Sequence, residues 1–439
     1  MFNALFTLTC SGFLVTISSG VNAGEKRIFY KKKSGKEDPF QQYLTGKSPE
    51  IVKDLGEEIK GDVKIHKLIF HSRNVNSDSG MKANTIFAAI ARPAKPGEYP
   101  GLLVLHGGGG SAEIDKAEKW AAKGYIVVTL DLPGIANPEK VPFSDGVWKS
   151  YAYGKNRFTV KPDITSSTIF DGVLAAVQAF YLLENQANLT KSKIGIAGIS
   201  WGGYMTTIVS GIVGSKVHAS FSVYGSGYYD KGSVFQKELN KMSDSDKELW
   251  LKYLDAGRRI AGHKSAFFIA AATNDNWFYP SAVTETLRVI NGPVNHLFAA
   301  NANHKIPDAG GTGGEVSKQP GWLAMELPFF EYHLKGIGDP FPEIVSSEQI
   351  FADNSSSKSL TVSFRVKSKT RTTSARIYYS FVDKEWTKRE WKELPAVLKN
   401  KNTYQAELPQ ELAGKDVDWY ASVSDDRPVS VSGYIQKLK

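Results

Sequence analysis

An apolar run, Ile194-Gly195-Ile196-Ala197, ends in Gly198-Ile199-Ser200-Trp201-Gly202 and passes at once into a helix-compatible segment. That spacing suits a serine held on a sharp strand-to-helix turn, its backbone strained and its hydroxyl pushed into a cleft. Gly198 and Gly202 remove the side chains that would collide where strand and helix close on each other. A serine hydroxyl is a poor nucleophile at neutral pH and needs a base within hydrogen-bond reach, normally histidine. The base needs a carboxylate to fix its tautomer, and backbone N–H groups must face the developing oxyanion.

Both partners should follow strands, at the sheet edge that presents Ser200, because that edge of an open α/β sheet holds the ligand crevice. Two downstream loops fit. An apolar strand over 265–272 ends in Thr273-Asn274-Asp275-Asn276-Trp277, which offers Asp275 as the acid. A strand over 294–300 ends in Asn301-Ala302-Asn303-His304, which offers His304 as the base. The other candidates are placed worse. His296 falls inside a strand, His263 and His218 precede strands, His333 lies on the closing helix, and Asp255 belongs to a charged excursion. Upstream, His106-Gly107-Gly108-Gly109-Gly110 follows an apolar strand, and a glycine run lets backbone approach substrate closely. One oxyanion donor is expected from the N–H of Trp201 and a second from Gly107 or Gly108, with His106 holding the loop. Trp277 is a candidate substrate contact. No ligand spacing argues for a metal, and no cofactor is expected.

These loops need a scaffold. Strands are predicted at 63–73, 85–92, 101–105, 125–130, 193–198, 217–223, 265–272 and 294–300. Helices are predicted at 112–123, 165–185 (amphipathic), 204–213, 243–260, 281–290 and 321–334. Buried strands alternating with helices imply a mostly parallel sheet with crossovers, an α/β domain over 63–338. The irregular stretches 135–164 and 225–264 sit where lids are built. Residues 24–62 read as a polar, poorly ordered lead-in with one short helix. After residue 342 the pattern changes to short alternating segments between turns, a small all-β sandwich-like domain over 343–439.

Residues 1–23 read as a secretory signal: 2–17 is apolar and uncharged, and Val21-Asn22-Ala23 offers the small residues of a cleavage site. Cys10, the single cysteine, lies inside it, so the exported chain would carry neither disulfide nor thiolate chemistry. The expected location is secreted or periplasmic. The formal charge of +9 brings no nucleic-acid motif with it, and suits a solubilising surface or an anionic polymer such as an acidic polysaccharide. Asn188-Leu189-Thr190 and Asn354-Ser355-Ser356 are glycosylation sequons, meaningful only in a eukaryotic secretory pathway.

Taken in order, Leu105-His106-Gly107-Gly108, Gly124-Tyr125, Asp131, Gly134, Gly198-x-Ser200-Trp201-Gly202-Gly203-Tyr204-Met205, Asp275 and His304 resemble the α/β-hydrolase superfamily. The likeness covers about residues 65–336. The turn around Ser200 is similar to that of prolyl-oligopeptidase-type peptidases. The layout resembles acetyl xylan esterases, cephalosporin deacetylases and dienelactone-hydrolase-like proteins. No β-propeller precedes the hydrolase-like region, and the β domain is not part of the usual small esterase.

The resemblance implies a serine esterase working through an acyl-enzyme, with Ser200 as nucleophile, His304 as base and Asp275 as acid. A carbohydrate O-acyl ester is the favoured substrate class. A prolyl-oligopeptidase-like peptidase is the alternative, and a hydrolase-fold glycan binder without turnover is a third reading. If the β domain targets substrate, its deletion should spare small-ester turnover and weaken polymer binding.

Overall fold

A computed structural model of the chain describes residues 37–77, 80–306, 322–354 and 357–438. The signal-like segment 1–23 with Cys10, residues 24–36 of the lead-in, residue 321 of the expected closing helix, and Ser355 and Ser356 of the second sequon lie outside these residues.

In chain order the first domain contains β1 (Ile51–Lys60), β2 (Val63–Ser77), β3 (Gly80–Pro93), β4 (Tyr99–Leu105), α1 (Ile114–Ala121) and β5 (Ile126–Leu130). Then come α2 (Thr168–Glu184), β6 (Leu189–Ile199), α3 (Trp201–Val213), β7 (Ala219–Val223), α4 (Gln236–Leu239), α5 (Asp244–Leu254) and α6 (Ala256–Arg259). It closes with β8 (Ala266–Ala272), α7 (Pro280–Arg288), β9 (Val294–Ala299) and α8 (Trp322–Phe330). The nine strands form one sheet in the order β1-β2-β3-β5-β4-β6-β7-β8-β9. The first three strands and the β3–β5 pairing are antiparallel. Every pairing from β5 through β4, β6, β7 and β8 to β9 is parallel. Strands β5, β7 and β8 are buried along their whole length. Their unbroken apolar runs are what a sheet covered on both faces requires. This is an α/β-hydrolase-like fold, with β6 in the middle of the parallel portion.

The sequence pattern misjudges three elements. Residues 51–60 of the lead-in are not a loop but an edge strand, β1, paired antiparallel to β2. Nearly all of it is exposed, so it carries no apolar alternation, and its Lys, Asp and Glu residues mark an edge that repels further pairing. The α2 helix is not amphipathic: Thr168 through Val177 and Ala179 through Leu183 are all buried, because further chain covers the face turned away from the sheet. The expected single helix over 243–260 is two, broken at Asp255, whose carboxylate caps α6 by accepting from Arg258 N–H.

The second domain consists of antiparallel sheets. One runs β10 (Glu343–Asn354), β11 (Ser357–Lys367), β15 (Thr403–Leu408), β14 (Val397–Asn400). The other runs β13 (Lys392–Pro395), β12 (Thr372–Phe381), β16 (Val417–Asp425), β17 (Ser430–Ser432), with β18 (Gln436–Lys437) also on β16. This domain does not hang free. Tyr378, Trp391 and Tyr420 share one buried apolar cluster with Phe267, Ile269 and Phe298 of the first domain. Polar atoms close the outer edge of β9: Phe298 N–H donates to Ser432 Oγ (2.9 Å), and Phe298 C=O accepts from Tyr420 Oη (3.0 Å). A strand edge that would otherwise invite pairing is thus covered.

Burial pushes His106, His263, His296 and His333 down to about 4, below the ordinary 6.5. The unfolded chain therefore binds more protons than the native state between pH 6.5 and 4. Stability contributed by these neutral imidazoles is fully present above pH 6.5 and is lost as pH falls through that window. The melting temperature should fall by several degrees between pH 7.5 and pH 5, which a buffer-matched calorimetric series would read. A flat profile across that range would contradict the burial of neutral histidines.

Candidate active site

Strand β6 runs straight into α3, and Ser200 is the hinge between them at φ +57° and ψ −120°. That conformation disfavours any residue with a Cβ, and it persists here because the turn is packed from all sides. A Cβ on Gly198 would overlap the Gly202 carbonyl, and one on Gly202 would overlap the carbonyls of Leu105 and His106. A Cβ on Gly203 would meet Val223 C=O, and one on Gly225 would overlap Gly203. Strands β4 and β7 therefore approach the turn as closely as backbone allows, and glycine is a steric requirement at these positions.

The structure brings Ser200, His304 and Asp275 into one chain of hydrogen bonds. His304 Nε2 lies 2.8 Å from Ser200 Oγ, and His304 Nδ1 lies 2.9 Å from Asp275 Oδ2. The other Asp275 oxygen, Oδ1, accepts the N–H groups of Trp277 (2.7 Å) and Phe278 (3.0 Å). The carboxylate is thus oriented by its own loop, and its side chain is only 1% exposed. The His304 side chain is 20% exposed, enough for a reacting group to reach it. Its ring packs on Tyr224 at 4.3 Å between centroids and stacks on Phe278 at 5.8 Å. Tyr224 also accepts the N–H of Ile306 through its hydroxyl oxygen.

Gly107 and Gly108 lie beside this constellation. A Cβ on Gly107 would stand 3.7 Å from Ser200 Cβ, and one on Gly108 would meet the Trp201 ring and overlap the Tyr153 hydroxyl. Trp201 opens α3, so its N–H has no acceptor within the helix. Among the described residues the Gly107 and Gly108 N–H groups are likewise not spent on the fold, whereas Gly109 N–H donates to Ile135 C=O. His106 is 1% exposed and takes the structural place expected of it. Its Nδ1 donates to Gly107 C=O (2.7 Å), and its Nε2 accepts from Leu132 N–H (2.9 Å). The imidazole pins the glycine loop to the exit of β5.

Of the histidines set aside on sequence grounds, His296 is buried in β9 and bonds Gly433 C=O. His263 is buried before β8. Asp255 is fully buried, and burial raises its carboxyl above the ordinary range while it caps α6 and accepts from Tyr228 and Tyr229 N–H.

The aromatic residues near the site divide into two kinds. Trp277 is 42% exposed with its ring 6.4 Å from that of His304, so it can meet substrate. Trp201, Tyr224, Tyr229 and Phe278 are buried packing. The two excursions meet over the site. Phe158 stacks on Trp250 at 4.9 Å, Trp250 Nε1–H donates to Arg157 C=O, and Phe235 lies 4.9 Å from Trp201. Between them opens a cleft of about 430 Å³, lined by Arg157, Phe158, Phe235, Lys237, Met242 and Trp277 among others.

Sequence reasoning missed Arg157. It is 7% exposed and its guanidinium lies between the rings of Tyr153 (4.7 Å) and Trp201 (4.6 Å). Its Nε donates to Gly134 C=O, but among the described residues no carboxylate pairs with it and Nη2 has no acceptor. An isolated arginine in an irregular stretch leaves no periodic signal that could have marked it.

No curated protein matches the chain significantly. Among solved structures, an acetyl xylan esterase from Paenibacillus sp. R4 is 15% identical over 68% of this chain and 93% of its own, with a TM-score of 0.51. Acetyl xylan esterase 1 from Thermoanaerobacterium sp. JW/SL YS485 is 17% identical over 68% and 99%, with a TM-score of 0.49. Dipeptidyl peptidase 4 from Porphyromonas gingivalis is 15% identical over 64% and 43%, with a TM-score of 0.42. At such identities the likeness is one of fold. Within this α/β-hydrolase-like fold, residues 86–260, from β3 through the turn at Ser200 to the end of α6, match the dienelactone hydrolase family.

Proposed function

We propose that this chain is a serine esterase that cleaves carboxylic esters through an acyl-enzyme. The observation that carries the reading is the unbroken run from Ser200 Oγ through His304 to Asp275, with spacings of 2.8 and 2.9 Å. In this scheme His304 takes the Ser200 proton as Oγ attacks the ester carbonyl, and returns it to the leaving alkoxide. Asp275 holds the tautomer that keeps Nε2 free to accept, and stabilises the imidazolium as it forms. The N–H groups of Trp201 and of Gly107 or Gly108 receive the oxyanion, helped by the positive end of α3. Water then repeats the sequence against the acyl-enzyme.

For the substrate we favour a carbohydrate O-acyl ester bearing an acidic group. Trp277 offers a flat apolar face of the kind a sugar ring stacks on. Arg157 is a nearly buried cation beside the cleft whose charge no carboxylate of the described residues balances. Such a cation is costly unless an anion meets it. A panel of acetylated xylan with and without free glucuronate side groups, methyl glucuronoyl esters (whose carboxyl is neutral), aryl acetates and dipeptidyl anilides, run on the wild type and on Arg157→Met, tests both parts. Esters should be turned over and anilides should not. Arg157→Met should raise KM by about tenfold or more for the uronate-bearing ester, the value of a charge-assisted hydrogen bond, and leave neutral aryl acetate nearly unchanged. Faster cleavage of anilides than of esters would favour the peptidase alternative instead. Export to a periplasmic or extracellular space remains part of the proposal, resting on residues 1–23.

A further inference from the structure

We propose that the second domain is a working part of the active site: its segment 387–391 positions the acid and histidine loops through Asn274 and Asn301. The inference rests on the triad reading above. Asn274 immediately precedes Asp275, and Asn301 lies three residues before His304. Both side chains reach across the domain boundary to the same short piece of backbone. Asn274 Nδ2 donates to Arg389 C=O at 2.6 Å. Asn301 Nδ2 donates to Trp391 C=O at 2.8 Å, and Asn301 Oδ1 accepts Trp391 N–H at 2.7 Å. That reciprocal pair reproduces one rung of a β-ladder with a side-chain amide in place of a strand.

The two loops are also laced to each other. Thr273 Oγ1 donates to Asn274 Oδ1 (2.6 Å) and accepts from Asn301 N–H (2.9 Å), and Asn274 N–H donates to Ala302 C=O (2.9 Å). Asn301 sits at φ +57°, a left-handed conformation that asparagine tolerates better than most residues and that needs surrounding contacts to hold it. The second domain holds its own segment firmly. Arg389 is 7% exposed, with Nη1 2.5 Å from Asp418, Nε on Asp383 C=O (3.0 Å) and its guanidinium 3.6 Å over the Trp386 ring. A hydrogen-bonded polar network of this sort, anchored by a buried and charge-paired arginine, fixes position more sharply than apolar packing does. What it positions is the Asp275–His304 hydrogen bond, where a displacement of about 1 Å can cost about a hundredfold in rate.

This assignment reverses the expectation that the β domain could be removed without loss of small-ester turnover. The test uses the full chain with p-nitrophenyl acetate, a substrate too small to need a polymer-binding domain. Asn274→Ala and Asn301→Ala should each lower kcat by about ten- to a hundredfold with KM changed less than about threefold. Arg389→Met leaves the backbone carbonyl that meets Asn274 in place, yet should give the same pattern by loosening the segment, and Arg389→Lys should recover much of the loss by keeping the charge opposite Asp418. Melting temperature and circular dichroism, read in parallel, report the folded fraction. Wild-type kcat in both asparagine variants would overturn the proposal, as would losses that merely track the folded fraction. A Ser200→Ala control separates the two readings: if it retains turnover, the triad assignment has failed, whereas an inactive Ser200→Ala beside fully active asparagine variants removes only the positioning role.

Discussion

Ser200→Ala should reduce ester hydrolysis by at least about a thousandfold while leaving the melting temperature close to that of the wild type. The alanine removes one oxygen from a turn whose shape is set by glycine contacts, so the fold has no reason to notice. Asp275→Asn should come close to it, with a loss on the order of 10⁴ in kcat where the hydrogen-bond chain acts as in other serine triads. An amide at position 275 can accept through oxygen or donate through nitrogen. Because Trp277 and Phe278 N–H groups both point at Oδ1, that position must stay an acceptor, which turns the amide NH₂ toward His304 Nδ1. His304 would then carry its proton on Nε2, facing Ser200, where no base is left. The double variant should be no worse than Ser200→Ala alone, because both changes disable one relay. Additive losses would mean that Asp275 acts by a separate route. Steady-state rates on an aryl ester, with active-serine titration by a fluorophosphonate, read all three variants.

Gly202→Ala should be a strongly disruptive one-carbon change at the turn. The added methyl would overlap two carbonyl oxygens, those of Leu105 and His106, and both belong to the chain that leads from β4 into the glycine loop. Neither is the movable end of a side chain. Relief requires β4 or α3 to shift, and either shift opens the sheet beneath Ser200. A loss of more than about 3 kcal/mol in unfolding free energy is expected, together with loss of activity in whatever fraction folds. Urea unfolding followed by circular dichroism gives the number. A midpoint within experimental scatter of the wild type would show that the turn is looser than its contacts indicate.

The succession of strands along the chain and the loops that bear Ser200, Asp275 and His304 were legible because β5, β7 and β8 are buried on both faces and read as plain apolar runs. A polar residue directly after such a run can only be presented at one edge of the sheet. The glycine loop at 106–110 was legible for the same reason. Other features had no local signature. β1 is an exposed edge strand, so its residues are chosen by solvent and not by a core. The several roles of aromatic residues could not be separated by spacing: Trp277 faces the cleft while Tyr224 and Phe278, equally close in sequence to strand ends, are spent in holding His304. The Arg157 contact with Trp201 and the Asn274 and Asn301 contacts with 387–391 join residues tens to more than a hundred positions apart, and no short window along the chain contains both halves.

The closure of β9 has a consequence in time. Phe298 meets Ser432, and His296 meets Gly433, across 134 and 137 residues of chain. Contacts of that separation form late, because a long loop must close before they return any stabilisation. A chain made from its N-terminus has β1 to β9 complete while residues 387–433 are still to come. Its serine can already stand on its turn, but the edge beside the histidine loop stays open until the last domain docks. Catalytic competence would then be the final event of folding, and an unfinished chain would be an inactive one.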